Sequence, residues 1–112
     1  MILFKVPSLE IFFNPEFIAL YKRGEPYGVG NPTPLFEVCA PLKSWRFLGK
    51  TQQHVELVLE DGAACLVCKW WFCPSEYLSL FQRGVPLCLT GEYDPIDQEL
   101  KCVRVGDPSL PS

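Results

Sequence analysis

From residue 36 onwards, apolar and polar side chains alternate along the chain, which is the pattern of strands that bury one face. The clearest example is 53–60, where valine or leucine at positions 55, 57 and 59 alternates with histidine and glutamate. Asp61-Gly62 follows directly and is typical of a tight hairpin turn. The same criteria predict further strands, which lie at 36–48, 63–71, 85–93 and 99–105. The pattern therefore predicts a mainly β fold with five consecutive strands.

Two short helices are predicted, one before the strands and one among them. The segment 14–16 reads Asn-Pro-Glu and is typical of a helix start, with an N-cap, a proline at the first position and an acid in the first turn. The segment 22–24, Lys-Arg-Gly, suits the end of that helix. The second predicted helix, 74–83, lies between the third and fourth strands. Residues 1–13 are apolar with weak alternation and form either a strand or part of a neighbouring unit.

The resulting order, β-β-β-α-β-β, is that of the OB-fold, a small barrel that often binds single-stranded nucleic acid. An SH3-like barrel is the alternative small β fold, but a helix between the third and fourth strands favours the OB-fold. We therefore predict a five-stranded OB-fold barrel, preceded by an N-terminal helix and a connector rich in glycine and proline.

The composition agrees with a single small domain and argues against general binding to polyanions. The chain has 112 residues, of which 48% are hydrophobic, and a formal net charge of −3. Its cations are unevenly distributed, because Lys43, Arg46 and Lys50 occur in the segment 42–53 without an acid. The longest apolar runs are too short to cross a bilayer, and the first residues do not resemble a secretory signal. We therefore expect no membrane association and a cytoplasmic location.

The six cysteines raise the question of a metal site. Cys65, Cys68 and Cys73 have a ligand-like spacing, but residues three apart in a strand point to opposite faces. The only histidine, His54, lies in another element. We therefore expect no metal site in this chain, and we expect reduced thiols that pack as small hydrophobic side chains.

The connector carries a resemblance to a known family. The run 25–36 reads Glu-Pro-Tyr-Gly-Val-Gly-Asn-Pro-Thr-Pro-Leu-Phe and closely resembles the PFGxGNPxPxF connector of RecJ, the single-strand-specific DNA exonuclease. In that family the connector leaves the catalytic core and enters the OB domain. The segment 49–59 is also similar to the family's GxKHLKLxL strand, and the resemblance covers about 16–105. It identifies the chain as the C-terminal OB-fold region of a RecJ-like protein, with three predicted parts: the end of the core region with helix and connector (1–35), the OB-fold domain (36–106) and a tail (107–112).

The resemblance implies an accessory function for this region. It would bind single-stranded DNA weakly and in a salt-sensitive way, and it would guide the strand towards the catalytic core of the parent enzyme. That parent would hydrolyse single-stranded DNA from 5′ to 3′ with Mn²⁺ or Mg²⁺, in DNA recombination and repair. The chain lacks the family's Asp-His-His triplet, so we expect it to hold no catalytic residue, metal or cofactor and to be inactive alone.

Two departures from the family pattern favour a different function. Glu56 stands where the family has a lysine, and the segment 94–98 lacks the usual asparagine-aromatic-glycine turn. Both changes weaken the case for contact with DNA. The alternative is a structural or protein-interaction module that closes the parent enzyme or docks a repair partner.

Candidate contact residues are selected by positive charge, polarity or an aromatic ring near the face where OB barrels usually bind their ligands. Cations there could bind phosphates, and exposed rings could stack on bases. Only one of Trp70 and Trp71 is expected in the core, because successive strand residues face opposite sides. The alternatives are solvated cations and rings that pack on the catalytic core. The predicted nucleic-acid-binding residues are Lys43, Trp45, Arg46, Lys50, Gln53, His54, Lys69, Trp71 and Tyr93.

Overall fold

The structure, a computed structural model, describes residues 3–23 and 33–106. Most of the predicted connector, Gly24 at the predicted helix end and the tail 107–112 lie outside the described residues. The elements in chain order, with η for a 3₁₀ helix, are β1 (Leu3–Lys5), η1 (Leu9–Phe13), α1 (Pro15–Arg23), β2 (Leu35–Leu48), β3 (His54–Asp61), β4 (Ala64–Trp70), η2 (Ser75–Leu80), β5 (Pro86–Asp94) and β6 (Glu99–Gly106).

Strands β2 to β6 form a closed barrel. β3 pairs antiparallel with β2 and β4, β6 pairs parallel with β4 and antiparallel with β5, and β5 returns to β2. The short β1 adds to the start of β2 in parallel orientation. This arrangement confirms the predicted OB-fold barrel with a short N-terminal helix.

The long strand β2 serves two neighbours and therefore has to bend. Its first half, 36–41, pairs with β5, and its second half, from Leu42, pairs with β3. Pro41 lies opposite Pro86 at the end of the first ladder, where neither residue is required to donate a hydrogen bond. The register with β3 shifts between Leu42 and Ser44. The bend predicted at Pro41 is thus the point where β2 changes partners.

The N-terminal segment packs into the same core as the barrel. Phe12 is fully buried and stacks on Tyr93, with ring centroids 4.5 Å apart. The Tyr93 hydroxyl donates to the Phe12 carbonyl oxygen at 3.1 Å, and the Tyr21 hydroxyl donates to the Tyr93 carbonyl oxygen at 2.9 Å. Burial, with a smaller contribution from the charge of Asp94, raises the pKa of Tyr93. The boundary at residue 35 stays a prediction, but Leu9, Phe12 and Tyr21 share one core cluster with the barrel.

The first predicted helix is confirmed, whereas the second is shorter and of another type. Asn14 Oδ1 accepts the Glu16 backbone N–H at 2.8 Å, as expected of an N-cap. The segment predicted as a helix at 74–83 forms only the 3₁₀ helix η2. Pro74 provides no side-chain cap there, and so short a segment makes too few hydrogen bonds to offset α-helix nucleation. No helix of the described residues is long and apolar enough to span a membrane.

Two of the six cysteines are joined, which corrects the expectation that all are reduced. Cys39 on β2 and Cys88 on β5 are direct register partners with Cα atoms 4.1 Å apart, and their sulfurs form a disulfide. This distance is typical of a non-hydrogen-bonded pair in an antiparallel ladder, in which the side chains lie closest together. The other four cysteines are free, and Cys68 and Cys102 are buried. Sequence could not show the pairing because it depends on the β2–β5 register.

Candidate nucleic-acid interface

The outer surface of β3 and β4, the second and third strands of the barrel, is the face on which OB barrels usually bind their ligands, and β2 lies beside it. Strand alternation exposes the polar residues that were predicted to lie there. Arg46 on β2 is the register partner of Glu56 on β3, and Glu56 is the partner of Lys69 on β4. One row of side chains therefore crosses this outer face with alternating charge.

The predicted cations of the three strands are paired with acids. Arg46 binds Glu56 through two hydrogen bonds of 3.0 and 3.3 Å, and this contact raises the pKa of Arg46. The Nζ atom of Lys43 lies 3.4 Å from Oε2 of Glu60, and that of Lys69 lies 3.1 Å from Oε2 of the buried Glu99. A phosphate would have to displace these carboxylates. The cluster of free cations predicted from sequence is thus an alternating network.

Lys50 is arranged differently from the strand cations. It is exposed in the loop 49–53 between β2 and β3, and no ion pair involving it occurs within the described part of the chain. This loop adjoins the outer face and commonly contributes to ligand binding in OB barrels. Lys50 is therefore the candidate cation best placed to contact a phosphate without breaking an existing ion pair.

Exposed aromatic side chains lie at the end of the face beside that loop. Trp70 is buried, as the alternation predicted for one of the two tryptophans, and Trp71 is 52% exposed. Phe72 follows with 72% of its surface exposed. The His54 ring contacts both, with centroids 4.8 Å from Trp71 and 4.6 Å from Phe72. We call His54, Trp71 and Phe72 the aromatic platform.

Two hydrogen bonds hold the platform against the start of β3. The Phe72 backbone N–H donates to Nδ1 of His54 at 2.9 Å, and the Cys73 N–H donates to the Gln53 carbonyl oxygen at 2.8 Å. The backbone of Gln53 therefore lies beside the platform. Burial, with a smaller contribution from Cys102, raises the pKa of Cys73 to about 11, so its thiol stays protonated at neutral pH.

Two predicted aromatic residues are placed away from the outer surface. Trp45 is half-buried and packs edge-on against Phe47 and Phe81, with centroid distances of 5.1 and 5.5 Å. Tyr93 is buried in the core, where Phe12 covers its ring, so it is not available to stack on a base. Its position near a strand end suggested exposure, but the N-terminal segment covers that end of the barrel.

Two exposed apolar residues of this region were not among the predicted contacts. Phe72 is followed by Cys-Pro, and the sequence pattern predicts this segment only as the link between a strand and the next helix. Ile96 is 87% exposed in the β5–β6 turn, a connection that flanks the ligand face of OB barrels. Asp94 Oδ1 holds this turn by accepting the N–H groups of Ile96 and Asp97 at 2.9 and 3.3 Å. An isoleucine inside an otherwise polar turn was the available signal.

In the part of the chain that the structure describes, the side chains that could coordinate a metal ion are dispersed. Within 3–23 and 33–106, no three histidine, cysteine or acidic side chains are grouped so that they could hold a metal ion. Cys65, Cys68 and Cys73 do not form such a group. Burial and the neighbouring Cys102 raise the pKa of Cys68, which keeps this thiol neutral in the core.

Comparison with known structures supports the fold. RecJ from Thermus thermophilus, solved with Mn²⁺, shares 21% identity over 97% of this chain and 16% of that chain, with a TM-score of 0.66. A replication protein A heterotrimer bound to single-stranded DNA shares 14% identity over 96% of this chain and 79% of that chain, with a TM-score of 0.57. Yeast Stn1 and Ten1 share 16% identity over 94% of this chain and 61% of that chain, with a TM-score of 0.55.

Sequence comparison gives the family. No curated protein matches the chain in sequence. The family model described as the RecJ OB domain, however, matches residues 7–94, which include the first 3₁₀ helix, the connector and most of the barrel. The chain spans only 16% of the length of the Thermus RecJ that it resembles in structure. With the family model matching most of its length, the chain belongs to the RecJ OB domain family.

Proposed function

We propose that this chain is an accessory single-stranded DNA-binding domain of a RecJ-like 5′-to-3′ exonuclease that acts in recombination and repair. In this proposal the parent's catalytic core, with Mn²⁺ or Mg²⁺, performs the hydrolysis, and this domain holds the strand. The observation that carries the proposal is the aromatic platform, whose exposed Trp71 and Phe72 lie at the edge of the OB ligand face. The similarity of the fold to the DNA-bound replication protein A structure supports the same function.

Stacking, more than charge, is the proposed source of affinity. Base–aromatic stacking contributes about 1–3 kcal/mol per base and tolerates any sequence. Most cations on the face already bind acids, and the chain carries a net charge of −3. We therefore expect weak binding with little preference for sequence.

Removing either exposed ring should weaken binding. Trp71→Ala and Phe72→Ala are each expected to raise the dissociation constant for oligothymidine about five- to a hundredfold, because each loses one stacking surface. Fluorescence polarisation of a labelled oligothymidine at low salt measures this loss. Quenching of tryptophan fluorescence provides a second readout in the wild-type protein.

A matched control is an exposed phenylalanine elsewhere. Phe4 on β1 is 50% exposed and lies outside the ligand face, so Phe4→Ala should retain wild-type binding. Equal losses in Phe4→Ala and Phe72→Ala would contradict a specific platform. If the folded wild-type domain shows neither polarisation change nor quenching at high micromolar protein, the DNA-binding proposal fails.

The salt dependence should be shallow for a nucleic-acid-binding domain. Among the described residues, Lys50 is the candidate cation of the ligand face without an ion pair, so a plot of log K against log salt should have a slope of about −0.7, the value for one phosphate contact with a single strand. Lys50→Ala should bring the slope close to zero. Binding isotherms from about 50 to 300 mM salt measure it. A slope steeper than about −2 would show that the ion pairs open and that the strand cations bind phosphates.

One observation favours the alternative of a protein-interaction module. A cavity of about 380 Å³ lies between β1, α1 and the start of β2 and is lined mainly by apolar side chains, among them Phe4, Phe17 and Leu20. The catalytic core of the parent enzyme is the partner we propose for this surface. The two functions use different faces and can coexist. Failure of the folded domain to bind oligothymidine would leave docking as the supported function.

A further inference from the structure

We propose that His54 is the positioning residue of the aromatic platform, and that its Nδ1 atom holds Phe72 and Trp71 ready for stacking only while the imidazole is neutral. The inference rests on the proposed function, because it concerns the state in which the platform can receive a base. In this proposal His54 acts by positioning its neighbours, whereas its place on β3 suggests a direct contact with phosphate.

The hydrogen bond determines which form of the imidazole is compatible with this arrangement. A backbone N–H can only donate, so Nδ1 must accept when it lies 2.9 Å from the Phe72 nitrogen. The proton of the neutral ring is then on Nε2. When the ring is protonated, both nitrogens carry hydrogen and Nδ1 faces another donor. The contact that holds Phe72 is lost in that state.

Phe72 depends on this contact more than an ordinary turn residue would. Its φ angle is +60°, in the left-handed region that bulky side chains rarely occupy. Such a conformation persists only where surrounding contacts impose it. Two backbone N–H groups anchor this turn to the start of β3, that of Phe72 through His54 and that of Cys73 through the Gln53 carbonyl oxygen. Protonation removes the first of these contacts and leaves the strained residue held by the second.

The edge-on ring contacts give the same side chain a second role. The His54 plane is inclined by 60° to Trp71 and by 85° to Phe72, so one imidazole supports both exposed rings. When the hydrogen bond between the Phe72 N–H and His54 is broken, the positions of both exposed rings should therefore change together.

The charged groups on the same face as His54 are mostly held in ion pairs with one another. On the same face, Glu56 of β3 is paired with Arg46 of β2, and Lys69 of β4 is paired with Glu99. Lys50 lies in the preceding loop, and Cys73, with a pKa of about 11, stays protonated. Histidine is the side chain that ordinarily changes charge between pH 5 and 8, and this chain has one histidine.

The sign of the expected pH effect distinguishes this proposal from simple electrostatics. A histidine that contacts phosphate binds DNA more tightly when it becomes charged, so affinity rises as the pH falls. A histidine that positions the platform gives the opposite result. Affinity should therefore fall as the pH is lowered through the range in which the imidazole takes up a proton.

Oligothymidine binding by the wild-type domain and two variants tests the proposal at about pH 8 and about pH 5.5. Wild-type affinity should fall about three- to tenfold at the lower pH, the effect of losing one hydrogen bond. His54→Asn places a carbonyl oxygen where Nδ1 lies and does not titrate, so it should bind equally at both pH values. His54→Gln extends its amide too far for the Phe72 N–H and should bind weakly at both.

Nuclear magnetic resonance of the free wild-type domain tests the hydrogen bond without DNA. The imidazole should be the Nε2–H tautomer at high pH, and the Phe72 amide signal should move with the titration of the single histidine. Absence of wild-type binding at pH 8 would overturn the proposed function while this measurement still tests the contact. An unmoved Phe72 amide, tighter binding at low pH, or equal behaviour of His54→Asn and His54→Gln would each overturn the positioning role.

Discussion

Phe12→Ala is expected to lower the free energy of unfolding by about 3–5 kcal/mol, the usual cost of emptying a fully buried phenylalanine site. Phe12 stacks on Tyr93 and makes edge contacts with Phe17 and Phe36 at 5.5 and 5.6 Å, so its loss leaves a cavity between η1, α1 and the barrel. Its carbonyl oxygen also accepts the buried Tyr93 hydroxyl. Urea unfolding followed by tryptophan fluorescence measures the change.

The adjacent residue provides the control for this prediction. Phe13 is 39% exposed and has the same chemistry and the same position along the chain to within one residue. Phe13→Ala should cost less than about 1 kcal/mol. Similar losses in both variants would contradict the structure of the N-terminal segment. A large difference would show that residues before the connector stabilise the barrel in solution.

Removing the disulfide should cost about 2–4 kcal/mol of unfolding free energy, because the bond constrains the unfolded chain. Cys39 and Cys88 are separated by 49 positions in sequence and join β2 to β5 at the seam that closes the barrel. The double variant Cys39→Ala, Cys88→Ala should therefore unfold at lower denaturant concentration. A reducing agent should shift the oxidised wild-type protein in the same direction and leave the double variant unchanged.

Counting thiols tests the pairing directly. In denatured, unreduced protein, four of the six cysteines should react with a thiol reagent. Cys65→Ala, at a free cysteine on β4, should retain the sensitivity of stability to reductant. Six reactive thiols in freshly purified, air-oxidised protein would contradict the bond between Cys39 and Cys88.

The strand pattern was predictable because it depends on local alternation. In 53–60 the apolar positions recur every second residue, and the structure buries Val55, Leu57 and Leu59 while the intervening side chains stay on the outer face. Pro41 indicated the bend in β2 because proline is excluded from a central ladder. The 3₁₀ helix η2 could not be predicted in the same way. A proline and a glycine mark the ends of this helical segment, but they do not determine whether its hydrogen bonds follow the α or the 3₁₀ pattern.

The candidate interface was only partly predictable. Trp71 could be separated from Trp70 by alternation, and Lys50 by its place in a loop. The acid partners of Lys43, Arg46 and Lys69 could not be assigned, because each lies on another strand. Phe72 was missed for a related reason. Its exposure follows from a left-handed turn that no glycine or asparagine signals.

The sequence by itself determined the order of the strands, the start of the N-terminal helix and the family, since these depend on neighbouring residues and on short motifs. Only the tertiary structure decided which residues meet across strands. Register paired Cys39 with Cys88 and Arg46 with Glu56, and it placed Nδ1 of His54 against the Phe72 amide. Such contacts join positions far apart in the chain, where local periodicity carries no information about distance.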